Sequence, residues 1–399
     1  MPLLMISFAI LHVIIILVLF NTDLYGERLY SGTGLCFEYA SKVFRGEVPY
    51  KDFLVEYPPL SLLVFLLPRL IADDAATYAA AFSGMIVLLD LATLALGVAL
   101  ARRAGYSVLT GSIAYTFALL VTGPLLIEHY DLFPAVLTLF VLYAFARGWH
   151  KASWSVLALG MMAKIYPVII APLFLVRYIH DRDYQHLRAG ILSFAVTVAV
   201  VVLPWVIIDA AEFWGLIAYH MERGIQIEST YASFLLIADN LGLTTVAREM
   251  SHGSWNVVSP ATGVLANLSS VLMPVSVAAI CWSYYRALRR SIRSSTLSDE
   301  RLVFHAVAMI LVLLFTSKVF SPQYLIWLYP LVPLVMGKRS VTLCVVFAAI
   351  GALTHYVWPS HYADLWHGYA GGVIALFARN ILVIVMAWLV LKPFRRRIS

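Results

Sequence analysis

The sequence predicts an all-α, polytopic transmembrane helix bundle of about twelve spans. Three observations predict it. Of 399 residues, 62% are hydrophobic and only 13% charged, with a mean hydropathy of +0.86, whereas soluble domains run near half apolar and about a quarter charged. Apolar runs recur along the whole length, and a span needs roughly 20 such residues. Basic residues crowd into every second loop, as the positive-inside rule requires. The same hydrophobicity excludes a disordered chain.

The first run, 3–20, has no basic segment ahead of it and no small-residue cleavage site. It reads as a retained span rather than a signal peptide. Further spans are predicted near 75–101, 107–126, 131–147, 152–163, 165–179, 189–208, 261–285, 303–316, 323–336, 341–357 and 370–391. The stretch 58–72 is too short to cross and holds Pro58, Pro59 and Pro68, which suits a re-entrant or interfacial segment. With it excluded, 18 Lys and Arg lie on the inner side, nine on the outer, and Arg379 falls inside the last span. Counting it as a span would turn every later basic cluster outward. Both termini are therefore placed in the cytoplasm of a cell-membrane protein. Seventeen of the 22 acidic residues fall on the outer side, so polar chemistry is expected there.

The chain reads as a single transmembrane domain over 1–399 with two long outer loops, 21–74 and 209–260. Loops of that length are uncommon unless they are functional. In the first, Cys36, Tyr39, Ala40, Val43 and Phe44 recur at helical spacing, opposite Glu38, Ser41, Lys42 and Arg45. In the second, Phe213, Trp214, Ile217 and Met221 repeat the pattern. Both predict amphipathic helices lying at the bilayer surface. The net charge of +6 reads as topology, with no nucleic-acid partner. Cys36, Cys281 and Cys344 lie too far apart for a metal motif or a disulfide framework. No Gly-rich phosphate loop is present, so nucleotide binding is not indicated.

Asp23 follows the first span at the outer edge of the hydrocarbon. A carboxylate there is partly desolvated, which raises its pKa and suits a base; the plainer reading is a solvated acid at a helix end. The segment 46–60 packs aromatics, acids and prolines together. Prolines alone would make it a rigid turn, but aromatic faces beside Asp52 and Glu56 also fit a sugar. Lys164 interrupts two short apolar stretches, and a charge at such a break is a functional hypothesis by default. With Arg223 and Lys318 it makes three outer cations. Each could snorkel to headgroups; converging, they would bind phosphate. The outer histidines match no zinc spacing, and His129, beside Asp131, is the one retained as a site candidate.

At these motifs the chain resembles the GT-C superfamily of integral-membrane glycosyltransferases. It is most similar to glycosyltransferase family 87, whose members include polyprenyl-phosphate-mannose-dependent mannosyltransferases. The resemblance rests on Asp23-Leu24-Tyr25, Pro49-Tyr50-Lys51-Asp52-Phe53 with Glu56-Tyr57-Pro58-Pro59-Leu60, Lys164-Ile165-Tyr166-Pro167, the run 223–229 from Arg223 to Ser229, and Ser321-Pro322-Gln323-Tyr324. It implies a GT-C-like bundle and an inverting transferase. The donor would be a polyprenyl-phosphate-linked sugar, mannose favoured, and the acceptor a glycolipid or glycan hydroxyl on the extracytoplasmic face. Asp23 takes the role of base. Lys164, Arg223 and Lys318 would grip the donor phosphate in the presence of membrane lipid. Asp52, Glu56, Tyr57, His129, Asp131, Gln226, Glu228 and Gln323 would contact sugar or acceptor. No cofactor and no metal is assigned. The alternative is a lipid-linked-sugar flippase or other transporter, which expects polar residues through both leaflets. Only Asp90 and Arg379 lie deep within spans, where they are expected to pair. A non-enzymatic scaffold would not explain why acids, cations and aromatics share one side.

Overall fold

A computed structural model describes residues 2–22, 31–290, 295–339 and 341–392. Among them six helices are long and apolar enough to cross a membrane: Pro2–Asn21, Ala75–Arg103, Tyr184–Ile208, Thr262–Arg289, Val341–Ser360 and Ala370–Leu391. Shorter helices occupy other expected runs, including Val108–Thr122, Leu132–Ala146 and His150–Ala163. Three expected spans are interrupted. The run 107–126 breaks at Gly123, whose φ of 47° precedes Pro124. The run 165–179 opens as a 3-10 turn, Tyr166–Ile170, before the helix Ala171–Asp181. The run 323–336 divides into a 3-10 turn, Pro322–Trp327, and a short helix, Pro333–Arg339. Prolines at 124, 167, 172, 322, 330 and 333 remove the backbone donors that a continuous helix needs.

The chain forms two compact units. One comprises Met1–Arg223 with Ser251–Ser254 and Pro322–Leu334; the other comprises Gly224–Met250, Trp255–Ser321 and Val335–Ser399. In the first, Asp74 starts the Ala75–Arg103 helix, its carboxylate accepting the N–H groups of Ala76 and Thr77 at 2.9 and 3.0 Å, as an N-cap should. The helix Ser31–Phe44 carries the first predicted stripe. Cys36, Tyr39 and Ala40 are buried and face protein instead of lipid: Tyr39 meets Phe53 and Phe65 at 5.9 and 6.1 Å. The segment 58–72 holds only the helix Ser61–Arg69. In Ala210–Glu222, Phe213 is buried against Tyr50 at 5.5 Å, while Trp214, Ile217 and Met221 of the second stripe are exposed.

A close approach ties Ser31–Phe44 to the segment before Leu132–Ala146. A Cβ on Gly32 would lie 2.1 Å from the Glu128 carbonyl and 2.6 Å from His129 Nδ1, whereas one on Gly34 would meet nothing within 4 Å. Gly32→Ala is therefore expected to destabilise by about 1–3 kcal/mol, the usual cost of overpacking. Gly34→Ala should be neutral or slightly stabilising, since alanine favours helix by about 1 kcal/mol. Thermal melts of the two purified variants make the comparison.

Asp90 does not pair as expected. Its carboxylate receives His12 Nδ1 at 2.8 Å and, on the other oxygen, the Tyr329 hydroxyl. His12 Nε2 meets Thr116 Oγ1 at 3.0 Å. Arg379 finds its partners in the other unit, donating to the Glu228 carbonyl at 2.5 Å and to Asn380 Oδ1 at 2.8 Å, with its guanidinium 4.1 Å from the centre of the Phe320 ring. Both charges are buried. Each is satisfied locally because a buried charge is tolerated only with partners.

Residues 225–258, which apart from the turn at 251–254 belong to the second unit, contain a feature absent from an all-α expectation. Strands Ile225–Gln226, Ser254–Val258 and Ala247–Ser251 form a three-stranded sheet in that spatial order. Ile225 lies opposite Val257 and Gln226 opposite Asn256. The hairpin turns through His252 and Gly253, both with positive φ, the pattern of a tight primed turn. Ile225 and Val257 join Ile227, Leu236, Leu365 and Leu376 in the core of this unit.

Candidate active site

The His150–Ala163 helix ends at Lys164, whose φ of −161° and ψ of 137° are extended. Lys164 keeps one bond to the helix, its N–H reaching the Gly160 carbonyl at 2.9 Å, and its side chain turns inward. The ammonium donates to Asp131 Oδ1 at 2.6 Å. The two side chains are 13% and 2% exposed, so this is a buried pair. Trp327 Nε1 donates to the same oxygen at 2.6 Å.

Aromatic rings enclose the ammonium. Lys164 Nζ lies 4.9 Å from the Tyr130 centroid, 5.3 Å from Tyr324, 5.6 Å from Trp327 and 5.8 Å from Tyr57, within the range of cation–π attraction. Two of the interrupted spans build one side of this box. Side chains at i and i+3 eclipse in a 3-10 turn, so Tyr324 stacks on Trp327 at 3.9 Å. From the other 3-10 turn, Tyr166 stacks on Trp327 at 4.0 Å, with planes 4° apart. Lysine has three N–H donors, and Asp131 engages one at hydrogen-bond distance.

Glu56 and Arg223 complete the neighbourhood. Tyr219 donates to Glu56 Oε2 at 2.5 Å, and His220 Nε2 donates to the Glu56 carbonyl at 3.0 Å. Arg223 Nη2 donates to Ser254 Oγ at 3.0 Å, while its Nε is buried and has no partner among the described residues. Burial holds the pKa of His220 below the usual imidazole range. The hydrogen bond to Glu56 opposes this, and the Arg223 and Lys164 cations lower it further. Both cations therefore act on one histidine. Burial also pushes His129 down to about 4, against the pull of Asp131 and with a push from Lys164. Burial and the Glu56 charge raise the Tyr57 phenol.

Of the residues expected from the sequence, Glu56, Tyr57, His129, Asp131, Lys164, Arg223 and Gln323 belong to the first unit. Asp52 stands apart from the cluster: it is exposed, and its carboxylate accepts the Val48 N–H at 2.7 Å to close a turn. Gln226, Glu228 and Lys318 belong to the second unit. There the Gln226 side-chain amide donates to Glu228 at 2.7 Å, Glu228 also meets Tyr362, and the Lys318 carbonyl accepts the Gln226 N–H at 2.9 Å. Glu228 is thus part of a buried knot. Asp23 lies outside the described residues. Sequence reasoning missed Tyr130 and Trp327 as walls of the box, and Tyr219 and His220 as partners of Glu56. Trp327 carried a legible signal, three residues beyond Tyr324 in a proline-led turn.

A family model described as Glycosyltransferase family 87 matches residues 53–317, more than half of the sequence. The chain belongs to glycosyltransferase family 87. The match takes in Glu56, Asp131, Lys164 and Arg223 and stops just before Lys318. Among solved structures, the family 87 chain is similar to ArnT from Cupriavidus metallidurans in its apo state. The TM-score is 0.50 at 14% identity, covering 97% of this chain and 77% of that one. The likeness is one of fold. No curated protein matches the sequence. The protein is a multi-pass membrane glycosyltransferase of family 87.

Proposed function

We propose that this glycosyltransferase moves a sugar, mannose favoured, from a polyprenyl-phosphate donor to a hydroxyl acceptor on the extracytoplasmic face, with inversion. The observation that carries this reading is a pair of partly buried cations with capacity to spare. Lys164 holds one carboxylate with three donors to offer, and the buried Nε of Arg223 has no partner among the described residues. A departing phosphate is the ligand such donors suit, because charge-assisted N–H groups pair best with multiple anionic oxygens. The lipid tail of the donor would remain among the apolar helices.

In the reaction, the acceptor oxygen attacks the anomeric carbon as Asp23 removes its proton. The bond from that carbon to the phosphate oxygen breaks, and the prenyl phosphate leaves with the electron pair. Lys164, Arg223 and Lys318 neutralise the charge that grows on it, the kind of preorganised electrostatics that is often the largest catalytic contribution. Tyr57, Glu56 and the Asp131 neighbourhood would hold the sugar, with Asp52, His129, Gln226, Glu228 and Gln323 as further candidate contacts. A single attack gives inversion, so a β-linked mannosyl donor yields an α-linked product. Offering the detergent-purified protein a panel of polyprenyl-phosphate sugars tests the reading. One donor should be consumed without any nucleotide sugar, and no consumption of any of them would overturn the proposal. Consumption in detergent also separates transfer from transport, because no compartments exist there.

A further inference from the structure

A second cluster of functional side chains lies in the same unit, at the loop end where the His150–Ala163 helix begins and the Ala171–Asp181 and Tyr184–Ile208 helices meet. His150 opens the first of these helices. Asp183 caps the last, and His186 sits in its first turn. We propose that His150, Asp183 and His186 form a binding site for a transition-metal dication of the zinc class, distinct from the transfer site.

One donor atom from each residue lies within 4.8 Å of the other two. His186 Nδ1 stands 2.8 Å from Asp183 Oδ2, and the imidazoles of His150 and His186 have centroids 4.3 Å apart. A tetrahedral zinc ion with bonds near 2.0–2.1 Å holds its ligand atoms about 3.4 Å apart, so side-chain rotation alone closes the site. His150 is already oriented for the task. Its Nδ1 bonds the Tyr178 hydroxyl at 2.8 Å, and Tyr178 is buried. That leaves Nε2 to bind metal while Nδ1–H donates to an outer partner, the arrangement usual for ligating histidines. The Asp183 and His186 side chains are 34% and 50% exposed, so an ion can enter and a water can take the fourth position.

A carboxylate answers the cation that acts on His150. Arg177, whose charge acts on His150, donates to Asp181 at 2.5 Å, and His180 meets the same carboxylate at 2.8 Å; Lys151, Arg182 and Arg188 are the other cations adjacent in sequence. Two imidazoles and one carboxylate select zinc, nickel or copper over calcium and magnesium, which prefer all-oxygen sets. A bound ion would staple the start of His150–Ala163 to the start of Tyr184–Ile208.

The test compares the full-length protein with His186→Gln in detergent, both stripped with chelator and then dialysed against Zn2+. Wild type should retain one more Zn2+ per chain and gain thermal stability on Zn2+ addition. The variant should bind about tenfold or more weakly at this site and melt as chelated wild type does. Equal Zn2+ content and equal thermal shifts in the two proteins would overturn the proposal. The fate of the polyprenyl-phosphate donor plays no part in the readout.

Discussion

Asp23→Asn protein is expected to transfer sugar about two to four orders of magnitude more slowly than wild type, the usual contribution of a positioned general base. The amide keeps the size and hydrogen-bonding reach of the carboxylate but cannot accept a proton. The donor phosphate is assigned to Lys164, Arg223 and Lys318, so the loss should fall on kcat with little change in donor KM. Initial rates at saturating donor, on wild type and variant of matching melting temperature, make the measurement. Near-normal turnover would remove Asp23 from the role. A large loss confined to Glu56→Gln would move the base to the carboxylate that Tyr219 holds.

The Lys164–Asp131 pair yields the largest expected effect on stability. Replacing Lys164 with alanine leaves a 2% exposed carboxylate facing the Trp327 indole N–H without its counter-charge. Breaking one side of a buried ion pair costs about 3–5 kcal/mol, because the remaining charge stays desolvated. Pairing Lys164→Met with Asp131→Asn removes both charges and should restore most of that loss. Transfer should not return with it, because a thioether cannot hold phosphate. Recovery of both fold and activity in the double variant would show the pair to be structural only. Melting curves and donor-dependent rates on the two variants give the answer together.

The helices were legible because an apolar run long enough to span a bilayer has few other uses. Lys164 was legible for the complementary reason that a lone cation between two apolar stretches needs a partner. Its partner Asp131 lies 33 residues away, and on sequence the two suit different roles, phosphate for one and sugar for the other. Trp327, which shares that oxygen from 196 residues away, was hidden among ten tryptophans that also fit an interfacial belt. On sequence Asp90 and Arg379 suit each other as opposite charges inside spans. Local groups won instead: a histidine and a phenol for one, a backbone carbonyl and an amide for the other. The small sheet escaped notice because its strands have at most five residues, too few for alternation to stand out.

The network around Asp90 bears on how the protein is made. His12 leaves the ribosome ahead of both its neighbours in this network: Asp90 follows 78 residues later and Tyr329 another 239 after that. A newly inserted Pro2–Asn21 helix would therefore wait in the bilayer with an unanswered imidazole, and Asp90 would wait for its phenol until a further 239 residues have been made. Final seating of the N-terminal helix becomes a late, post-insertion event. Chains truncated before Tyr329 would remain exposed to membrane quality control.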